Sequence, residues 1–451
     1  MNLPSDPSRT QVLALLQQHG WNATSFQVLE PGFRHWFGAG GCVAYVDVGS
    51  AWVAAGAPVA ANERLGEVAR GFVAAAREQG KAACFFGTEA RFDAFPRICI
   101  GEQPVWDPRL WEQTLTSSKS LREQLRRARA KAVTVREVHA AELAPGTPLR
   151  ADVETLVARW MAVRRMAPMG FLVDVELFGF ATERRYFVAE REGALLGLLA
   201  AVPVYARRGW FLEDLLRAPE APNGSAELLV DGAMRAFAAT GSGYATLGLA
   251  PLAGDVPGIL RTARTVGAVL YDFDGVRAFK AKLRPDRWDP IYLSYPSGSP
   301  RLALAAALRA FAGGGLLRFG MQSVLRGPPV IVRLLALLLI PWTLLLAAAD
   351  ASTWFPSPAV KLAWVLFDGL LCVALWSLAS RWRSKLARLL ATCISLDAVA
   401  TLFEAWCFNV PRVHGLASAL VVAAGVLAPL GAAGVLWGAL RVRGGSLAPP
   451  T

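Results

Sequence analysis

Cysteine and histidine are scarce in this chain, and neither is grouped. Cys42, Cys84, Cys99, Cys372, Cys393 and Cys407 show no Cys-x-x-Cys spacing, and His19, His35, His139 and His414 are scattered. That distribution excludes a disulfide framework and offers no zinc or other metal-ligand pattern; the cysteines read as small buried hydrophobes in a reducing compartment. Acids are also in short supply. The 35 Asp and Glu face 47 Lys and Arg, a net charge of +12. Such an excess favours anionic partners, either lipid headgroups or nucleic acid, although part of it belongs to the basic inner loops of a membrane protein. The first ten residues, MNLPSDPSRT, lack an apolar core and do not read as a signal peptide. Long apolar runs are confined to the last third. The chain is 54% hydrophobic with a mean hydropathy of +0.36, too apolar for an ordinary soluble protein. Residues 1–296 are mixed and globular in pattern, whereas 330–440 are membrane-like.

In the globular part, residues 11–18 predict a short amphipathic helix stopped by Gly20. Cys42–Val48 and Ala51–Ala55 predict strands. Asn62 is expected to cap a helix over Glu63–Gln79, followed by a strand over Ala82–Phe86. Asp152 is expected to cap a helix reaching about Met166, with Leu156, Trp160 and Val163 inward. Tyr186–Glu190 and Leu195–Tyr205 predict a hairpin around Glu192-Gly193, then a strand over Trp210–Leu216, a helix opened by Gly224-Ser225, and a strand over Tyr244–Leu249.

Three blocks stand out chemically. In Lys119–Ala132, Leu121, Leu125, Ala128 and Ala132 share one helical face, and Lys119, Arg122, Arg126 and Arg129 form a row beside it, flanked by Arg127 and Lys131. Glu123 is the one acid in that run, so the row reads either as a solvated connecting helix or as a phosphate-backbone contact, which we favour. Glu213-Asp214-Leu215-Leu216-Arg217 ends a strand, where two acids and an Arg provide either a base with an anion clamp or a plain ion pair. Tyr271–Tyr292 concentrates aromatics and cations. There Val276, Phe279 and Leu283 predict a short helix surrounded by Arg277, Lys280, Lys282 and Arg284, either a solvated basic helix end or a grip on a phosphate-bearing substrate.

The last block reads Tyr271, Phe273, Gly275, Arg277, Phe279, Lys280, Lys282, Leu283, Pro285 and Trp288. It resembles the pattern that closes the C-terminal catalytic domain of the bacterial lysyl- and alanyl-phosphatidylglycerol synthases, with Leu283 for the usual Phe and one extra residue before Trp288. Asp214-Leu215-Leu216-Arg217 resembles that family's Asp-Leu-Met-Arg, and Gly248-Leu249-Ala250-Pro251-Leu252 its Gly-Met-x-Pro-Leu. The resemblance covers residues 35–295. It departs at Ala57, where Asp is usual, at Ala268, where an acid is common, and at Asp272, where Asn is usual.

The resemblance implies an α/β fold of tandem N-acetyltransferase-like (GNAT-like) domains joined by the basic helix. Its organisation would be a first half over 1–117, the connecting helix over 118–135, a second half over 136–296, a juxtamembrane segment over 297–328 and four transmembrane helices over 329–441. It further implies transfer of an amino acid, lysine or alanine, from aminoacyl-tRNA to a lipid hydroxyl such as that of phosphatidylglycerol, with no metal and no cofactor. Asp214 and Arg217, with Lys280 and Lys282, would be the catalytic set, Asp214 taking or orienting the hydroxyl proton. Lys119, Arg122, Arg126 and Arg129 would bind tRNA, and Arg277 and Arg284 lipid phosphate. The alternatives are an acyl-CoA-dependent N-acyltransferase acting on a membrane substrate, or a non-catalytic membrane-tethered sensor. Only Gly224-x-Ala226 of the usual CoA-binding motif is present, with Ala221 in its first position.

Four apolar stretches, about 329–349, 359–379, 386–408 and 414–440, are each long enough to cross a bilayer. Arg318 and Arg326, then Arg381, Arg383, Lys385 and Arg388, then Arg441 and Arg443 lie on one side of them. The positive-inside bias therefore places both termini and the globular part in the cytoplasm, on what the resemblance implies is a bacterial inner membrane. Asp368, Asp397 and Glu404 fall within these spans. Acids are costly there, and they are expected either to bond between helices or to face a groove that attracts a cationic headgroup.

Overall fold

The computed structural model describes residues 7–163, 170–172, 175–267, 271–296, 298–313, 315, 319 and 328–445. Ala268, Arg318, Arg326 and most of 314–327 in the expected juxtamembrane segment lie outside them. The chain divides into two compact units, one within residues 1–319 and the other formed chiefly by residues 320–451.

The first unit opens with α1 (Pro7–His19), then β1 (Arg34–Gly38), β2 (Gly41–Asp47), β3 (Ala51–Ala55), α2 (Leu65–Glu78), β4 (Ala82–Thr88) and β5 (Arg97–Trp106). Two helices follow, α3 (Trp111–Ser117) and α4 (Lys119–Arg129), then β6 (Thr134–Val138), α5 (Pro148–Val163), β7 (Arg185–Arg191), β8 (Ala194–Val204) and β9 (Gly209–Arg217). The unit continues with α6 (Ser225–Ala239), β10 (Ala245–Thr246), β11 (Ala250–Pro251), α7 (Gly258–Gly267), α8 (Phe273–Lys282), β12 (Arg287–Ser294) and α9 (Pro300–Phe311).

The strands form one mixed sheet in the order β1-β2-β3-β4-β12-β5-β10-β9-β8-β7-β6, with β11 beside β5. It runs unbroken across residues 117 and 135. From α5 to β10 the order is helix, three strands, helix, strand, as the sequence pattern predicts for an N-acetyltransferase-like half. The hairpin of β7 and β8 turns at Glu192 and Gly193, both with positive φ (53° and 79°), the geometry that matches strand twist.

Several local expectations need correction. Asn62 is not a cap: it begins a 3₁₀ turn, and α2 starts at Leu65 without a side-chain cap bond. Asp152 lies inside α5, which begins at Pro148. The strand expected over Tyr244–Leu249 shrinks to Ala245–Thr246, because the carbonyls of Leu247, Gly248 and Leu249 turn to Lys280 instead of a neighbouring strand. β12 contains Pro290, which ordinarily argues for a sheet edge, yet it lies between β4 and β5 with a register shift just after the proline, at Ile291/Tyr292.

The basic helix forms as expected. Ser118 caps α4 by accepting from the Leu121 N–H, and Leu121, Leu125 and Ala128 are buried against the core of β7–β9 and α6. Ala132 is exposed beyond the helix end, where the backbone turns left-handed. The packing of α4 on α6 depends on Gly224, which has φ +96°. A Cβ there would stand 2.4 Å from the Gln124 carbonyl oxygen.

The second unit contains α10 (Pro328–Ala348), α11 (Pro358–Ser380), α12 (Ser384–Glu404, continued by irregular turns to Arg412) and α13 (Leu416–Gly445). All four are long and apolar enough to cross a membrane, as the sequence predicts.

Because Gly224 meets both a backbone contact and a left-handed φ, Gly224→Ala is expected to destabilise the protein by more than about 1 kcal/mol. A melting temperature of the purified full chain equal to that of the unsubstituted protein would overturn this account of the α4–α6 contact.

Candidate active-site cleft

A cleft of ≈ 700 Å³ opens where β9 ends and α6 begins. Its walls come from four separate parts of the chain: Gln124 and Arg127 of α4, Trp160 of α5, Leu215 and Arg217 of β9 with the loop to α6, and Phe279 and Lys282 of α8. The first turn of α6 contributes Gly224, Ala226 and Glu227. The free N–H groups of a helix N-terminus and three cations from three different elements, Arg127, Arg217 and Lys282, make a setting for an anion. The rings of Trp160 and Phe279 and the side chain of Leu215 provide an apolar side. Lys282 donates to the largely buried Glu227 carboxylate at 2.6 Å, so the cleft holds an acid–base pair as well as free charge.

The structure brings Arg217 and Lys282 together in this cleft and leaves Asp214 and Lys280 out of its lining. β9 pairs regularly with β8 from Asp214 to Arg217, so alternation puts Asp214 and Leu216 on the face opposite Leu215 and Arg217. Asp214 is buried at 8% exposure. Its neighbour Glu213 forms a fully buried ion pair with Arg184, not with Arg217. Burial works against the Arg184 charge, but Glu213 and, more weakly, Tyr186 and Asp214 hold it above its ordinary range. Burial pushes the Glu213 carboxyl up, opposed by Arg184.

Lys280 has a different setting. Its Nζ donates to the carbonyls of Leu247, Gly248 and Leu249 at 2.8, 2.9 and 2.8 Å, so all three donors are used. Burial pulls its pKa down to about 7, while three acceptors matched to an ammonium favour the charged form. Two sequence blocks singled out separately, Gly248–Leu252 and the α8 stretch, thus meet at one nitrogen.

Arg277 donates to Glu102 at 2.8 Å and lies 4.9 Å over the Trp288 ring, which ties α8 to β5 and β12. Arg284 is exposed just after α8 with φ +54°. Asp272 caps α8 by accepting from the Gly275 N–H at 2.8 Å.

The cation row of α4 is partly committed within the fold. Arg122 closes the end of α3 through the carbonyls of Leu115 and Thr116. Arg129 reaches the buried Asp231 at 2.7 Å, which also accepts from Trp111 and Arg235. Arg126 and Arg127 share Glu123, whose carboxyl they hold down at about 2. The row therefore has acidic partners, one of them on α6 and more than a hundred positions away, which local sequence does not reveal. Lys119 is exposed.

Within the second unit, Asp368 is buried at 6% exposure. Asp397 accepts from Thr401 on its own helix at 3.2 Å, and Glu404 accepts from the Trp364 indole of α11 at 2.7 Å. One of the three acids thus bonds between helices. Arg333, near the start of α10, is exposed.

Sequence reasoning missed Glu227, Trp160 and Asn223 as cleft residues. The signal for Glu227 was its place three residues after Gly224, inside the first turn of the helix that the glycine opens.

The chain thus combines a mixed α/β sheet, a cationic cleft at a helix N-terminus and four membrane-length helices. Residues 13–295 match the family model described as phosphatidylglycerol lysyltransferase, C-terminal, and the chain belongs to that family. Among solved structures it is similar to the C-terminal domain (DUF2156) of a protein named as a lysylphosphatidylglycerol synthetase from Agrobacterium fabrum. That match has 23% identity and a TM-score of 0.59, over 68% of this chain and 99% of that one. It is also similar to L-PGS from Bacillus licheniformis, at 20% identity and a TM-score of 0.57, over 68% of this chain and 97% of that one. Comparison with curated proteins finds no match.

Replacing Lys280 by Met would leave three inward carbonyls without a donor. Lys280→Met is expected to lower stability by at least about 1–3 kcal/mol. Lys282→Arg, which keeps a cation opposite Glu227 in the cleft, is expected to change the melting temperature far less. Equal melting temperatures for the two variants would contradict the bracing role of Lys280.

Proposed function

We propose that this protein transfers an amino acid, lysine or alanine, from aminoacyl-tRNA to a lipid hydroxyl such as that of phosphatidylglycerol, at the cytoplasmic face of a bacterial inner membrane. The observation that carries this reading is the convergence of Arg217, Lys282 and Arg127 on one cleft at the start of α6, beside the basic helix. In the reaction the lipid oxygen attacks the ester carbonyl carbon. A new ester C–O bond forms, the bond to the tRNA ribose oxygen breaks, and the hydroxyl proton ends on that ribose oxygen. Arg217 and Lys282 would hold phosphate and the developing oxyanion. Glu227, paired with Lys282, is the cleft carboxylate suited to carry the proton between the two oxygens. Asp214 enters as a positioning residue on the reverse of β9, and Lys280 as the brace of α8. Lys119, Arg126 and Arg127 are the α4 cations suited to tRNA, with Arg122 and Arg129 acting first on the fold. Arg277, in the middle of α8, and Arg284, just after it, are proposed lipid-phosphate contacts. The positively charged loops support the cytoplasmic placement.

The direct test is reconstitution in phosphatidylglycerol vesicles with lysyl- or alanyl-tRNA, followed by mass spectrometry of the lipids. Aminoacylated lipid is expected from aminoacyl-tRNA and no acylated product from acetyl-CoA; the reverse would establish the CoA-dependent alternative. Arg217→Gln and Glu227→Gln are each expected to reduce transfer by roughly two orders of magnitude with the melting temperature retained. For Asp214→Asn a rise in KM with smaller change in kcat is expected of a positioning role, and loss confined to kcat would instead place it in the chemical step.

The tRNA-binding role of α4 has its own measure. Changing Lys119 and Arg126 together to Gln is expected to lower the slope of log K against log salt by about 0.7–0.9 for each phosphate that is no longer neutralised. An unchanged slope in filter binding would remove α4 from the tRNA surface. Arg122→Gln and Arg129→Gln are expected to lower the melting temperature as well.

A further inference from the structure

The second unit contains a cavity of ≈ 860 Å³ among its four helices, walled mostly by leucine, alanine and aromatic side chains. Asp368 of α11 and Asp397 and Glu404 of α12 all line it. The spacing of Asp397, Thr401 and Glu404 puts them on one helical face. Among the described residues that line the cavity there is no Lys, Arg or His.

Acceptors around this space are left unsatisfied. Asp368, more than nine-tenths buried, has no hydrogen-bond or ion-pair partner among the described residues. Glu404 gives one oxygen to Trp364, while its Oε1, like Oδ1 of Asn409, is buried without a hydrogen-bond partner. The rings of Trp342 and Trp364 stand in the same wall. Unsatisfied buried acceptors are costly, and a carboxylate in an apolar wall more so. Acceptors, carboxylates and indole faces around an apolar space answer to one ligand chemistry, a protonated amine carried on an apolar body. An anionic headgroup would meet three acids of like charge and no cation among the described lining residues.

We propose that this cavity is a binding site for an organic ammonium group, with Asp368, Asp397 and Glu404 as its charge partners and the leucine-rich wall taking the apolar remainder. The two sources of such a group are a lipid with an amine headgroup and a free organic amine. The site is independent of the transfer reaction: its test uses neither tRNA nor an aminoacyl product, so failure of one leaves the other standing.

The experiment is native mass spectrometry of the full chain in maltoside micelles, titrated with dodecylamine and, separately, with dodecanol. A preference for the amine of roughly tenfold, equivalent to about 1.4 kcal/mol, is expected. Asp368→Asn combined with Asp397→Asn is expected to abolish that preference. Gly425→Leu is the second variant. It keeps every acid and fills the cavity from a position whose new Cβ meets Trp342 at an ordinary 3.5 Å; it is expected to abolish retention of the amine. Competition arms with phosphatidylethanolamine and with butylamine assign the source, displacement by the lipid alone meaning an amine headgroup and displacement by butylamine meaning a free amine; either supports the site. Equal retention of dodecylamine and dodecanol by the unsubstituted protein, or an undiminished amine preference in both variants, overturns it.

Discussion

Much of the first unit depends on one nitrogen. Lys280 gathers three consecutive carbonyls from the segment after β10, and that bond set fixes the pitch and depth of α8. With Lys280 anchored, the next residues along the helix fall into place. Phe279 and Lys282 face the cleft, Leu283 is fully buried in the core, and the Leu283 carbonyl accepts from the Trp106 indole at 3.0 Å. A buried ammonium is tolerable here because its three donors are matched by three acceptors. The same arrangement stops β10 after two residues, so the short strand and the cleft wall have one cause.

Charge in this protein is distributed more economically than its net excess indicates. The α4 row looks from its sequence like a stripe of free cations. Folding assigns Arg122 to the end of α3, Arg129 to Asp231 and Arg126 to Glu123, and leaves Lys119 exposed. In the second unit the acids are segregated instead, with Asp368, Asp397 and Glu404 gathered round a cavity that has no cation among its described lining residues. The cleft of the first unit and the cavity of the second thus differ in electrostatic character, the one lined by Arg127, Arg217 and Lys282 and the other by three acids.

The legible features were those written in local periodicity. The β7–β8 hairpin, the apolar face of α4, the Gly224 helix start and all four membrane-length helices follow from spacing and turn residues near one another in sequence. Arg217 and Lys282 were legible too, each from its own motif. What spacing does not encode is which motifs touch. Asp214 stands three residues from Arg217, yet strand alternation turns it away, while Glu227 and Trp160 reach the cleft from two other helices, α6 and α5. β5 and β12 escaped because Gly101, Pro104 and Pro290 interrupt their strand patterns, although long-range pairing satisfies them.

The place of β12 has a consequence for how the chain is made. The strand synthesised last in the sheet is inserted between β4 and β5, two of the earlier ones. Until Arg287–Ser294 has left the ribosome, β4 and β5 each present an open hydrogen-bonding edge. The sheet therefore cannot close half by half as the polypeptide emerges. Its completion comes before the first membrane-length helix, at Pro328, is delivered, so closure of the sheet precedes synthesis of the four apolar helices.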